Sequence, residues 1–555
     1  MNVATLQEMI RTLRDKLAPD LVLRDGNIIC MDPVNTTAQA VAVKDKKIIA
    51  VGSNEDIQAL IGRETEVINL GGKTVLPGFI DSHVHLCTYA SFLRMVDLLK
   101  CRTADEILRS LKERVEQTEA GHWVEAYNLS YDILGGKIKL DRWEIDKVSP
   151  ENPVFIYGLG HFGCVNSYAL NSLNITRDTS APVGGVIDRD PTGEPTGVLR
   201  EKAFKENCSK IPPLPFNKYL KALDSAIEDF LAVGITSVHE ALGSPQMIMA
   251  LQTLDDEAKL RLRVSVSPDI EKYGSYYLNS GIHTGFGSEK LRFHQMKILL
   301  NTLGAATAPV FEDYTNDPGN RGYFLHPPER VEEWVLDSVK KGWSVHTHVM
   351  GDREMDMVLT AYEKALKWYQ KETGKDNSTL RLTIAHYGLY NESLLARTAA
   401  SKIVVNTQPI FKLAKGMPGG IYEQRLGHER WLRCLPIKTL FNNGIAPCFG
   451  SDVPTATSFD VRAGIYACLD GCGQPWEAIT PYQAIQGYTI NGAYALFREH
   501  EIGSIEVGKL ADFVVLSENP AILPKEAIWD ISSNRPKDLL VDYTIVGGKV
   551  EFRRA

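Results

Sequence analysis

Long apolar stretches are missing from this sequence, which contains no run of 18 apolar residues. A helix that crosses a membrane needs about 20 such residues, so we expect no membrane span. Residues 1–18 also carry charges where a secretory signal peptide requires an apolar core. These two absences predict a cytoplasmic protein that does not use a membrane as a partner.

An excess of basic residues is missing as well. The chain has 61 Lys and Arg residues against 69 Asp and Glu residues, which gives a formal net charge of −8. Proteins that bind nucleic acids usually present a basic surface, because that surface must neutralise phosphates. We therefore expect a small-molecule substrate as the partner and no nucleic acid.

Cysteine is scarce, with nine residues scattered over 555 positions and no pair at CxxC spacing. A disulfide framework is typical of small secreted domains, so we expect these thiols to be reduced and mostly buried. The chain is too long for one hydrophobic core and is expected to divide into two or more units.

Short strands and turn signals mark both ends of the chain. Residues 21–75 contain Asp-Gly and Gly-Gly pairs between apolar strands, and a similar pattern returns in 503–520 and 541–552. We interpret 1–75 plus 500–555 as one composite β-sandwich domain. The spacing of apolar residues in 1–18 predicts an amphipathic helix attached to it.

The middle of the chain alternates apolar strands with helical patterns, which is typical of a parallel α/β structure. Eight candidate strands suit a (β/α)₈ TIM-like barrel within 76–499. The gap after the first strand is far longer than one crossover helix requires, so we interpret about 88–230 as an inserted subdomain. The candidate strands are IDSHVHL, 235–241, 261–268, 296–301, 343–349, 382–388, 403–409 and 446–452.

Residues typical of metal sites recur on these strands. His83 and His85 stand two positions apart in LPGFIDSHVHL (76–86), so both imidazoles face one side of a strand. A single such pair is equally well explained by packing or capping, but the recurrence favours a site for one or two divalent ions, Zn²⁺ first. The later residues of this set are Lys297, His346, His348, His386 and Asp452.

The order of motifs resembles the amidohydrolase superfamily, within it amidohydrolase family 3, the branch that includes N-substituted formamide deformylase. The matching segments are PGFIDSHVHL, HVMGD (348–352), IAHYG (384–388) and GSDVP (450–454), with VSPENPV (148–154), HFGCVNSYAL (161–170) and GEPTGVLRE (193–201) in the insert. The chain departs from the branch after the lysine, where Asn301 and Thr302 replace the usual acidic residue and glycine.

The resemblance implies a set of metal ligands. His83 and His85 would bind one ion with Asp452 beside them, and His348 and His386 would bind a second. Lys297 falls where many members carry a carboxylated lysine that bridges two metals; the alternatives for Lys297 are a solvated strand-edge lysine and a salt-bridge partner. His346 lies outside the matched motif, which favours a supporting or packing role.

The resemblance also implies an activity: hydrolysis of a C–N bond in an amide, formamide or cyclic amide by metal-activated hydroxide, with Asp452 as general acid and base. His161 would hydrogen-bond the carbonyl oxygen, although a turn-stabilising role is an even alternative. Glu201, His239 and Gln408 are weaker candidates for substrate contacts. The open alternatives are a deaminase, a C–O hydrolase or a decarboxylase on the same site, and a catalytically dead scaffold protein. A homodimer is the expected assembly.

Overall fold

The computed structural model describes residues 15–129, 139–158, 162–182, 185–208, 210–456 and 458–555. The helix predicted for 1–18 therefore lies almost wholly outside the described residues. Contacts divide the chain into two units, one made of Met1–Cys87 with Ile227–Ala555 and the other of Thr88–Ala226. All nine cysteines are free and seven of them are buried, as the composition predicted.

Parallel strands form the centre of the first unit. They lie in a four-stranded and a five-stranded sheet, and their residues are almost all buried, because helices and side chains cover both faces. In chain order the strands are Phe79–Val84, Ile235–Gly243, Arg263–Pro268, Leu291–Phe293, Gln295–Ile298, Ser344–Val349, Thr383–His386, Val404–Thr407 and Cys448–Phe449.

The two sheets are joined through the fourth barrel strand, which is interrupted at His294. Its first part, Leu291–Phe293, pairs with the third strand, and its second part, Gln295–Ile298, pairs with the fifth. At the opposite edge the Asp452 amide donates to the His83 carbonyl at 2.8 Å, but no ladder joins the eighth and first strands within the described residues. The fold is thus TIM-barrel-like, with a strand ladder that is not closed.

Helices with one apolar face follow most of the barrel strands. In Pro328–Lys340 the buried residues recur at helical spacing, and the helix begins at a proline whose missing amide costs no hydrogen bond there. None of the described helices has the length and apolar character of a membrane span. The helices of this unit and its borders are Asn54–Gln58, Leu86–Phe92, Phe216–Ala232, Pro245–Asp256, Ile270–Tyr277, Pro328–Lys340, Asp352–Thr373, Asn377–Leu380, Glu392–Ala400, Pro409–Ala414, Ile421–Leu426, His428–Trp431, Ile437–Asn442, Val461–Asp470, Pro481–Gly487, Ile490–Ala495 and Lys525–Ile528, with a 3₁₀ turn at Pro475–Glu477.

Two further sheets of the first unit lie in the β-rich ends of the chain. A six-stranded sheet has, in spatial order, Lys549–Arg553, Val541–Val546, Phe513–Leu516, Thr74–Pro77, Asn27–Ile29 and Thr37–Ala38. A four-stranded sheet has Lys47–Gly52, Ala40–Lys44, Leu21–Arg24 and Glu66–Asn69, and a small hairpin pairs Trp529–Asp530 with Arg535–Pro536. The domain boundaries proposed from the sequence stay a prediction.

The second unit contains one mixed sheet of six strands. In spatial order they are Gly185–Arg189, Pro195–Glu201, Phe162–Val165, Val154–Gly158, Val124–Tyr127 and Val96–Asp97. Its helices are Ala104–Val115, Arg142–Asp146, Ser167–Ser172 and Lys202–Cys208.

A buried ion pair ties the barrel to the six-stranded sheet. Arg263 on the third barrel strand donates Nε and Nη2 to the Asp512 carboxylate at 2.6 and 2.8 Å. Both side chains are almost fully buried. Arg263 also donates Nη1 to Glu289 at 3.1 Å, whereas Asp512 depends on Arg263 to compensate its charge.

We predict that Arg263→Met lowers the free energy of unfolding by about 3–5 kcal/mol, because it leaves the Asp512 charge buried without its partner. Urea titration followed by tryptophan fluorescence measures the effect. Lys364→Met, which removes an exposed pair with Glu332, is the matched control and should cost less than about 1 kcal/mol. Equal losses of unfolding free energy in the two variants would contradict the conclusion that the buried Asp512 charge depends on Arg263.

Candidate metal centre

Three ligand-type side chains meet at the C-terminal ends of the barrel strands. One ligand atom each of His83, His386 and Asp452 lies within 4.8 Å of the others, and all three residues are buried. His83 Nε2 lies 3.3 Å and His85 Nε2 lies 3.1 Å from the same Asp452 oxygen, Oδ1. The sixth strand adds His386, whose ring centroid is 4.3 Å from that of His348 on the fifth.

The eighth strand passes very close to the first, and this approach positions Asp452. A Cβ atom on Gly450 would lie 2.6 Å from the His83 backbone nitrogen, so only glycine fits at this position. Asp452 has a left-handed backbone with φ of 59°, which turns the chain sharply just after the strand. The hydrogen bond from the Asp452 backbone amide to the His83 carbonyl then fixes the carboxylate beside His83 and His85.

Burial keeps most of the imidazoles uncharged. It lowers the pKa of His348 to about 3, and it holds the pKa values of His83 and His386 well below the ordinary range, helped by the neighbouring positive charges. A neutral ring nitrogen is the form that binds a metal ion. These three rings are therefore in the ligating state at neutral pH.

His85 behaves differently because it lies between two carboxylates. Burial alone would lower its pKa, but Asp452 and Glu240 raise it to about 9. Glu240 is fully buried on the second strand; its Oε2 accepts the Cys87 amide at 2.8 Å, and its Oε1 has no hydrogen-bond partner in the described part of the chain. Glu240 was not predicted from the sequence, although a carboxylate inside the apolar run ITSVHEA is a usable signal.

Lys297 is buried in the same region. Its Nζ has no hydrogen-bond partner among the described residues, and burial lowers its pKa to about 7 against the opposing charges of Asp452 and Asp269. A solvated strand-edge lysine and an ion-paired lysine, the two alternatives from the sequence, both disagree with this environment. With this pKa, part of the amine population is uncharged at neutral pH, and the uncharged amine is the form that reacts with CO₂.

Polar side chains behind the cluster fix the orientation of its rings. His346 Nε2 lies 3.0 Å from His83 Nδ1, so His346 supports a neighbouring ring. Gln408 Oε1 accepts from His386 Nδ1 at 2.6 Å, and Gln408 Nε2 donates to Asn406. The bond to Asn406 is the structural hydrogen bond that the sequence left open for Gln408. The bond to His386 Nδ1 leaves His386 Nε2 for a ligand.

The other proposed substrate-contact residues have different surroundings. His239 contacts the Ser82 carbonyl with Nδ1 at 3.0 Å and Ser267 Oγ with Nε2 at 2.7 Å, so both ring nitrogens already have protein partners. Glu201 is an exposed residue at the end of Pro195–Glu201 in the second unit. His161 lies outside the described residues, and its role stays a prediction.

Two further buried carboxyl groups accept hydrogen bonds from backbone amides of the surrounding loops. Neither was predicted from the sequence. Asp81 accepts the amides of His83 and Ser451 at 3.2 and 3.0 Å, and burial raises its pKa to about 7. Glu354 accepts the amides of Asn301 and Met350. The Asn301 carbonyl in turn accepts from His348 Nε2 at 2.9 Å, which leaves His348 Nδ1 for a ligand.

Comparison with known proteins gives the family. Residues 66–552 match the model described as the amidohydrolase family. The chain belongs to the amidohydrolase family. It is 30% identical over 551 residues to the putative amidohydrolase YtcJ from Bacillus subtilis. The alignment covers 96% of this chain and 99% of the relative.

Two further relatives agree with this membership. An N-substituted formamide deformylase from Arthrobacter pascens is 28% identical, over 96% of this chain and 98% of the relative. A crystal structure of a metal-dependent hydrolase from Pyrococcus furiosus has a TM-score of 0.76 and 25% identity, and covers 90% of this chain and 99% of the other. The family assigns the chain to metal-dependent hydrolases that act on carbon–nitrogen bonds, as the motifs predicted.

We predict that Gln408→Leu weakens metal binding about 10- to 100-fold, because His386 loses the partner that fixes its orientation. Titration of the metal-free protein with Zn²⁺ measures the affinity. Gln370→Leu, on the exposed side of Asp352–Thr373, is the control and should bind as tightly as the unaltered chain. An unchanged affinity in Gln408→Leu would show that the hydrogen bond to His386 does not support a ligand.

Proposed function

We propose that this protein hydrolyses a C–N bond in an amide, formamide or cyclic amide, using one or two Zn²⁺ ions. The observation that carries the proposal is the convergence of buried imidazoles, most of them neutral, on one ionised carboxylate, Asp452. This donor set of nitrogen and oxygen atoms is the kind that Zn²⁺ prefers. Lys297 Nζ has no hydrogen-bond partner among the described residues, which fits a lysine that reacts with CO₂ and then binds the metal ions.

The ligands are assigned by position. His83, His85 and Asp452 would hold one ion, and His348 and His386 would hold the second, with carboxylated Lys297 between them. His85 must first lose the proton that Asp452 and Glu240 stabilise on it. Bound there, a divalent ion would lower the pKa of a water and polarise the substrate carbonyl.

Asp452 is the group that we propose moves the proton in this reaction. Burial alone would raise its pKa, but the hydrogen bonds from His83 and His85 hold it well below the usual range, so the carboxylate is ionised. Its Oδ2 accepts from the Thr455 hydroxyl, which fixes the second oxygen. Asp452 would accept a proton from the attacking water and deliver it to the leaving nitrogen.

Lys297 supplies the bridging anion in this proposal. Its neutral amine would add to the carbon of CO₂, forming an N–C bond and releasing one proton, to give a carbamate. A negative carbamate would offset the repulsion between two dications held close together. The low pKa of the Lys297 amine supports this chemistry, because a protonated lysine cannot react.

We predict that removal of metal with a chelator abolishes hydrolysis and that added Zn²⁺ restores it. Elemental analysis of the purified protein should find one or two divalent ions per chain. Product analysis distinguishes the reaction classes. Release of an acid and an amine supports amide hydrolysis. Release of ammonia, an alcohol or CO₂ from the substrate indicates a deaminase, a C–O hydrolase or a decarboxylase, respectively. Full activity in protein stripped of metal would contradict the mechanism.

We predict that Asp452→Asn keeps the fold but lowers kcat by about 10²–10⁴-fold, because it removes proton transfer and changes little volume. Circular dichroism checks the fold, and steady-state kinetics measures turnover. Asp337→Asn, on an exposed helix face, makes the same chemical change away from the site and should leave kcat unaltered. Undiminished turnover in Asp452→Asn would exclude Asp452 as the acid and base.

We predict that Lys297→Ala removes a carbamate signal from the carbon-13 NMR spectrum of protein equilibrated with labelled bicarbonate, and lowers metal occupancy. A short carboxylic acid should partly restore metal binding in this variant by filling the vacated space. Lys290→Ala, a lysine on the same segment that bonds to the Arg261 carbonyl, is the control and should keep the signal. Absence of any carbamate signal in the unaltered protein would contradict the bridge.

A further inference from the structure

One lysine near the metal centre has no part in the mechanism above. Lys415 follows the helix Pro409–Ala414, which begins directly after the seventh barrel strand with Gln408 as its N-cap residue. The Lys415 amide donates to the Phe411 carbonyl at 2.8 Å, and its own carbonyl accepts from Tyr422. The backbone of Lys415 is thus fixed at the end of the barrel where substrates bind in this architecture.

The side chain of Lys415 is held near the imidazole cluster by an aromatic ring. Lys415 Nζ lies 3.9 Å from the centroid of the Phe411 ring. The Phe411 ring is in turn parallel to that of His386, with an interplanar angle of 7° and centroids 5.8 Å apart. A cation–π contact therefore places an ammonium group one ring away from a proposed metal ligand.

Among the described residues, no carboxylate pairs with Lys415. No ion pair or hydrogen bond of its Nζ occurs in the part of the chain that the structure describes, although burial lowers the pKa of this amine. The charge of Asp452 acts on Lys415 from a distance, and Lys415 acts in the same way on His348. The Asp452 carboxylate already contacts His83 and His85, so it does not pair with Lys415.

Lys415 is half-buried, so its ammonium keeps only part of its contact with water, and a ligand carboxylate would compensate its charge. We propose that Lys415 binds the carboxylate of the substrate, and that the substrates are small amides carrying such a group, such as N-acyl or N-formyl amino acids. The inference rests on the proposed hydrolase function, because it extends the same site.

Two probes that differ only in a carboxylate test this inference. They are N-formyl-leucine and N-formyl-3-methylbutylamine, and their binding to the Zn²⁺-loaded protein is measured by calorimetry. A charge-assisted hydrogen bond predicts about 10- to 100-fold tighter binding of the carboxylated probe. Lys415→Met should remove that preference while leaving the affinity for the neutral probe unchanged, and Lys415→Arg should keep most of it.

Lys438→Met makes the same change of charge on an exposed helix residue and should keep the full preference. Three results would overturn the inference: equal affinity for the two probes, no measurable binding of either probe, or a preference that survives in Lys415→Met. The last of these would mean that the metal binds the carboxylate. Hydrolysis of both probes is followed in parallel. A preference without any hydrolysis contradicts the proposed function alone, and hydrolysis without a preference contradicts only the role of Lys415.

Discussion

Burial of titratable groups at one end of the barrel is the constraint on which the site depends. Removing an ionised group from water is unfavourable, so each buried group must either be neutral or contact an opposite charge. The imidazoles of His83, His348 and His386 are neutral, and the Asp452 charge is stabilised by the two histidines of the first strand. A bound dication would satisfy the same requirement, because it interacts favourably with neutral nitrogens and with the carboxylate together.

The strands and the segments behind them give this cluster its precision. Gly450 allows two backbones to approach each other, and the chain turns at Asp452 immediately afterwards. Gln408, His346 and the Asn301 carbonyl each occupy one nitrogen of a ring that faces the cluster. Such contacts define which nitrogen of each imidazole is left for a ligand, so we expect residues without direct contact to a substrate to affect metal binding.

Much of this architecture could be predicted from the sequence, since alternating strands and helices and the recurring histidines are local patterns. The strand expected at 235–241 is observed as Ile235–Gly243, whereas that expected at 446–452 contains only Cys448–Phe449 in a strand. The shortness of the last strand follows from the close approach and turn at Gly450 and Asp452, which periodicity does not reveal. Glu240 stands inside an apolar strand, so its burial could have been predicted. Glu354 could not, because an acidic residue in a polar helical stretch looks the same in a sequence whether it is exposed or buried. Gln408 could be interpreted only once its partner His386 was placed.

The central claim is that the cluster around Asp452 binds catalytic metal, and anomalous X-ray scattering from crystals of the Zn²⁺-loaded protein tests it most directly. The account predicts one or two peaks at the zinc edge, about 2.0–2.2 Å from nitrogen or oxygen atoms of His83, His85, His348, His386 and Asp452. Peaks located only elsewhere, or none at this cluster in crystals of active protein, would contradict the account.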